Sequence, residues 1–171
     1  LKMNSSQVLY EGYCGVCRED FSKPVWCEDD LLNKEPALGG IAGDLNRFSQ
    51  FYSARAVQES VRFHGQGKLT IILGFFSRIS NIDIHVSGGD LVIFIGPYCD
   101  ISNFSVQSFD AGAWLCFGAG NSVNTGNVLI QGAGRKIFFG HDCMFSTNFH
   151  ARTSDSHSIF SYETGGRINR D

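Results

Sequence analysis

From residue 70 to residue 157 the chain repeats itself every 22 residues, and this period restricts the available folds more than any other feature. Set out as four rows starting at Thr70, Val92, Trp114 and Lys136, the columns agree. Ile71, Ile93, Leu115 and Ile137 share one column, and Leu73, Ile95, Phe117 and Phe139 share a second. Each member of the second is followed by glycine, at Gly74, Gly96, Gly118 and Gly140. A third apolar column holds Ile79, Ile101, Val123 and Phe145, and the residue after each is Ser or Asn. Small residues, Ser77, Cys99, Asn121 and Cys143, form a fourth.

Inside a row the apolar residues alternate at spacing two, the period of a strand, and short polar steps interrupt them. Each row therefore reads as several short strands joined by tight corners. Glycine suits a corner because it accepts positive φ and lets another backbone approach closely. Stacking such rows puts like above like and pairs every strand with the coils on either side, which gives a parallel β-helix of four 22-residue coils. An antiparallel sandwich also has regularly spaced short strands, but it does not generate a fixed period with registered glycines. The period leaves the hand of the helix open. A left-handed coil of three hexapeptides needs about four more residues at one corner to reach 22, whereas right-handed helices take 22 directly.

Residues 1–69 lack the repeat and read as an N-terminal cap region, with the β-helix and its C-terminal tail occupying 70–171. Within the cap, Leu45, Phe48, Tyr52, Ala56 and Val57 lie near one helical face, Asp44 can serve as N-cap and Gly65 follows the end. This predicts a short helix over 44–63, placed to cover the open edge of the first coil.

At 171 residues the chain can bury one substantial core. A net charge of −3 with 14 scattered basic residues offers no electrostatic footprint for nucleic acid. No apolar run is long enough to span a bilayer, and the first residues lack a signal-peptide pattern, so the sequence reads as cytoplasmic. Six cysteines then read as reduced thiols. Cys14, Cys17 and Cys27 resemble part of a zinc knuckle that His64 or another chain would have to complete, and ordinary thiols are the favoured reading.

The most specific local signals are Gly140-His-Asp-Cys-Met-Phe-Ser146, Arg152-Thr-Ser-Asp-Ser-His-Ser-Ile159 and Glu163-Thr-Gly-Gly-Arg-Ile-Asn169. In these segments the chain resembles the hexapeptide-repeat acyltransferases that acetylate sugars in bacterial surface polysaccharides. The likeness covers about residues 70–169 and is closest from 136 onward. It implies an all-β fold, a left-handed parallel β-helix, and assembly as a homotrimer. It also implies acetyl-CoA as co-substrate bound between subunits, a saccharide hydroxyl or amine as acceptor, and a histidine as general base. Carried onto this chain, that histidine is His157, with Asp155 placed to orient its ring and Asn148 and Arg152 as candidates for substrate or cofactor contacts.

The chemistry suits the residue types. A sugar hydroxyl is a weak nucleophile near neutral pH, and an imidazole can take its proton as it attacks a thioester. Asp155 has a competing role as a turn residue in the Thr-Ser-Asp-Ser cluster. His141 and His150 read as structural. Family members continue beyond the Arg-Ile-Asn segment with further coils that supply most of the CoA surface, so a chain ending at Asp171 is expected to be a truncated enzyme or a fragment. The alternative function is a non-catalytic β-helix that binds carbohydrate or a protein partner through its flat faces.

Overall fold

In the computed structural model the described residues are 41–42, 48–52, 56–74, 76–154 and 157–168. They form strands β1 (Ile41–Ala42), β2 (Phe48–Tyr52), β3 (Val57–Gly65), β4 (Lys68–Leu73), β5 (Arg78–Val86), β6 (Asp90–Ile95), β7 (Asp100–Ser108), β8 (Ala113–Phe117), β9 (Ser122–Val123), β10 (Gly126–Ile130), β11 (Lys136–Phe139), β12 (Met144–Phe145) and β13 (Phe149–Arg152). Every pairing between these strands is parallel and joins one coil to the next. One sheet runs β2, β4, β6, β8, β11, and the other runs β1, β3, β5, β7, β10, β13 with β9 and β12 alongside. The chain is a parallel β-solenoid, as the repeat requires.

The expected columns stack in register. Ile71 opposes Ile93, Ile93 opposes Leu115 and Leu115 opposes Ile137. Ile71, Ile93, Leu115, Leu73, Ile95, Phe117, Ile79, Ile101 and Val123 are all buried. In the last coil Ile137, Phe139 and Phe145 are only half-buried, because among the described residues no further coil lies beneath them. Aromatic rings close that end: Phe139 meets Phe145 and Phe149 with centroids 5.0 and 5.3 Å away, and Phe117 lies 4.8 Å above Phe139.

The corners explain residues the alternation alone does not. In β5 the inward residues Ile79 and Ile82 are three apart rather than two, and the residue between them that restores inward parity is Asn81 at φ 52°. Asn103 repeats this in β7 at φ 48°, and asparagine tolerates the left-handed region better than most side chains. Asn81 Nδ2 donates to Asn103 Oδ1 at 2.8 Å, and Asn103 Nδ2 donates to the Asn124 carbonyl at 3.2 Å. At the other registered corner the glycines answer to close approach rather than to φ. A Cβ on Gly96 would sit 2.6 Å from the Gly118 carbonyl carbon, and one on Gly118 would sit 2.6 Å from the Gly140 oxygen.

The small-residue column serves the same corner. Ser77 Oγ donates to the Gly96 carbonyl at 2.6 Å, Cys99 Sγ to the Gly118 carbonyl at 3.0 Å, and Asn121 Nδ2 to the Gly140 carbonyl at 2.8 Å. Each side chain thus bonds to the glycine carbonyl of the following coil and ties adjacent coils together at the corner. β4, β6 and β8 also bury side chains on their opposite face, including Ile72, Phe94 and Cys116. This is why they read as nearly continuous apolar runs, as expected of parallel strands covered on both sides.

The described residues of the stretch expected to form a helix over 44–63 are strand instead, in β2 and β3. Phe48 pairs with Leu69, Tyr52 with Leu73 and Val57 with Arg78, so the parallel ladder continues upstream of residue 70. Tertiary pairing outweighs the weak helical pattern, because these strands satisfy an edge that β4 and β5 would otherwise expose. The upstream coil escapes the repeat because its partners are offset by one residue less, and Gln50 stands opposite Ile71. Cys14, Cys17 and Cys27 lie outside the described residues.

Two outcomes follow from this core. Phe117→Ala should lower stability by about 3 to 5 kcal/mol, read as a fall in the urea midpoint, because the ring is enclosed by Phe104, Phe139 and Phe145. Burial pushes the Cys99 thiol up to about 11 from the ordinary 9.0. The unfolded chain then loses this proton before the native state does, so the Cys99 contribution is fully present below pH 9 and is lost as pH rises toward 11, by up to about 3 kcal/mol. Cys99→Ser, which retains a donor as Ser77 does, should show a shallower decline in urea midpoint over that range. Parallel declines in the two proteins would contradict this.

Candidate functional site

The site grows out of the corner that joins the two sheets. Asp90 Oδ1 accepts from the Gly112 amide at 2.9 Å, and one coil further on Asp110 Oδ2 accepts from the Gly132 amide at 2.8 Å. Gly132 adopts φ 94°, a conformation that would strain any residue with a side chain. Thr153 takes the next rung: its Oγ1 accepts from the Gln131 amide and donates to the Gln131 carbonyl, both at 2.8 Å. The Thr153 amide also donates to the Leu129 carbonyl at 3.1 Å. The last coil is thereby fastened to the corner immediately before the chain departs from the solenoid.

Beyond that point the chain turns back on itself. Phe160 and Arg167 form an antiparallel bridge, the Ser161 amide donates to the Gly166 carbonyl at 2.8 Å, and the Ile168 amide donates to the Ile159 carbonyl at 2.8 Å. Between this turned arm and the stacked corners lies an open cleft of about 480 Å³, lined by Asp110, Gln131, Gly132, Ser154, His157, Ser158 and Arg167. It offers an imidazole, two hydroxyls, a carboxamide, a carboxylate and a guanidinium in a space open to solvent. That is a set able to hold a polyhydroxylated ligand and to accept a proton from it.

Of the residues named from the sequence, His157 lines the cleft. Asp155 lies outside the described residues. Asn148, at φ 59°, stands one residue before the Gly126↔Phe149 pair and so at the left-handed corner position marked by Asn81 and Asn103 in earlier coils. Arg152 is exposed on β13 and pairs by backbone with Leu129. Neither Asn148 nor Arg152 is among the cleft residues. His141 Nδ1 accepts from the Ala119 amide at 2.8 Å, and the His150 ring contacts Asn127 Oδ1. His64 Nε2 lies 3.5 Å from Asp83, which also pairs with Arg62 at 3.0 Å. Among the described residues no three His, Cys, Asp or Glu side chains converge on a metal-sized site.

Asp110, Gln131, Ser154, Ser158 and Arg167 were not singled out from the sequence. The repeat carried a signal for three of the cleft positions, since Asp110, Gly132 and Ser154 fall at the same place in successive 22-residue rows. Arg167 stands inside the Glu-Thr-Gly-Gly-Arg-Ile-Asn motif, but nothing in the motif says that the chain doubles back.

The chain is similar to the polysialic acid O-acetyltransferase of Neisseria meningitidis, with 31% identity over 101 residues that make up 58% of this chain and 46% of that protein. It thus spans less than half the length of that relative. No family model and no solved structure matches the chain. The relative is an acetyltransferase of the sugar-modifying kind, in agreement with the resemblance carried by the C-terminal motifs. No helix among the described residues is long and apolar enough to cross a membrane.

Removing the Thr153 rung tests how the cleft is held. Thr153→Val deletes both hydrogen bonds to Gln131 and should cost about 1 to 3 kcal/mol. The measurements are the urea midpoint and the hydrogen exchange of the Gln131 amide, which should accelerate.

Proposed function

We propose that the chain carries the catalytic end of a sugar O-acetyltransferase, which moves an acetyl group from acetyl-CoA to a saccharide hydroxyl with His157 as general base. The observation that carries this reading is the place of His157, in an open, hydroxyl-rich cleft at the end of the last coil. The similarity to a polysialic acid O-acetyltransferase supplies the acyl group and the acceptor class, and we take an acidic saccharide as the acceptor. A homotrimer in the cytoplasm, where acetyl-CoA is at hand, completes the proposal.

In the reaction the His157 imidazole takes the hydroxyl proton as the sugar oxygen attacks the thioester carbonyl carbon. The tetrahedral intermediate collapses with cleavage of the carbon–sulfur bond, and the imidazolium returns its proton to the departing thiolate. Ser154, Ser158 and Gln131 line the same cleft and can hold sugar hydroxyls while the attack occurs. Asp155, two residues before His157, is assigned the orientation of the ring and the stabilisation of its charged form.

In the intact or naturally extended protein, His157→Ala should lower the rate of CoA release by about 10² to 10⁴ while the thermal transition is unchanged. Asp155→Asn should have a smaller effect. A folded His157→Ala protein that transfers acetyl at the wild-type rate would remove this residue from the chemistry and make His150 the next to test.

A further inference from the structure

Arg167 is the one cationic side chain among the described residues that line the cleft, and it shares that cleft with His157. Its backbone is fixed to the segment that follows the histidine by the Phe160–Arg167 bridge, with the 2.8 Å bonds Ser161 N to Gly166 O and Ile168 N to Ile159 O on either side. His157 and Arg167 therefore reach the cleft from one turned arm, the histidine just before its backbone bonds and the arginine within them. On the opposite wall Asp110 holds the Gly132 amide, so its carboxylate has a structural duty in keeping the corner shaped. A guanidinium presents a planar fork of donors that matches an oxyanion with two contacts, which the compact ammonium of lysine cannot reproduce.

We infer that Arg167 forms an oxyanion subsite that holds a negatively charged group of a substrate beside His157. This rests on reading the cleft as the acetyl-transfer site. Both substrates in that reading bear oxyanions: a carboxylate on an acidic saccharide acceptor, and phosphates on the CoA donor. The subsite adds a fixed anchor about which the reacting group is positioned, so its effect belongs to substrate affinity rather than to proton transfer.

Steady-state kinetics of the full chain, wild type and Arg167→Gln, separate the two sources. The acceptor arm compares a sialic-acid oligomer with its methyl ester, and the donor arm compares acetyl-CoA with acetyl-pantetheine, which lacks the nucleotide phosphates. Arg167→Gln should raise KM about 10- to 100-fold for one anionic substrate, leave KM for its neutral counterpart unchanged and alter kcat little. Loss of the acid-over-ester preference identifies the acceptor carboxylate, and loss of the preference for acetyl-CoA identifies a donor phosphate. Arg167→Lys should recover part of the lost affinity in either case. If a folded Arg167→Gln enzyme still transfers acetyl and keeps both preferences, the subsite is overturned and the acetyl-transfer reading stands. If wild type acetylates no saccharide, both fall together.

Discussion

Parallel backbone pairing between coils is the interaction on which the other features depend. In a solenoid each strand finds its partners one turn earlier and one turn later, so a constant spacing between coils keeps the same columns of residues paired along the stack. A spacing held at 22 residues keeps Ile71 above Ile93 and Ile95 above Phe117, and the interior fills with apolar side chains in continuous files. The constraint also limits what a corner can contain. Where one coil's backbone nearly touches the next, as at Gly96 and Gly118, a side chain has no room. The carbonyl exposed there is satisfied from within by Ser77, Cys99 or Asn121.

This corner chemistry leads directly to the cleft. Asp90, Asp110 and Thr153 hold the Gly112, Gly132 and Gln131 amides at one edge of the solenoid, and the third of these ties the last coil to the one before it. Among the described residues the segment that follows folds against itself, through bonds between Ile159, Ser161, Gly166 and Ile168. A rigid, repetitive scaffold thus ends in an irregular arm, and the chemically varied side chains gather between the two. Placing reactive groups on a segment anchored to stacked strands restricts their motion without requiring the core to contain anything polar.

The candidate site was partly legible beforehand. His157 could be picked out only through the resemblance carried by the Arg152–Ile159 and Glu163–Asn169 segments, and it lines the cleft. Asn148 and Arg152 lie close to His157 in sequence, yet Asn148 stands at a left-handed corner position and neither is a cleft residue. On a solenoid neighbours along the chain point to different faces, while residues one coil apart share a face. Gln131 and Asp110 lie one and two coils away from the tail and are brought to it by that rule.

The sequence by itself determined the parallel solenoid, its apolar columns and the positions of its registered corners, because a 22-residue period with fixed glycines admits few other ways to pair strands. It misjudged residues 44–63 as a helix, since a degenerate coil with Gln50 in an apolar column carries too little pattern to compete with a helical spacing. Its described residues, in β2 and β3, become strand because β4 and β5 present open edges, a cause that lies in their backbone rather than in the side chains of the stretch itself. Tertiary structure alone likewise decided that Arg167 returns to face the corner beside His157. That placement depends on where the tail turns and what it folds against, and no periodicity records either.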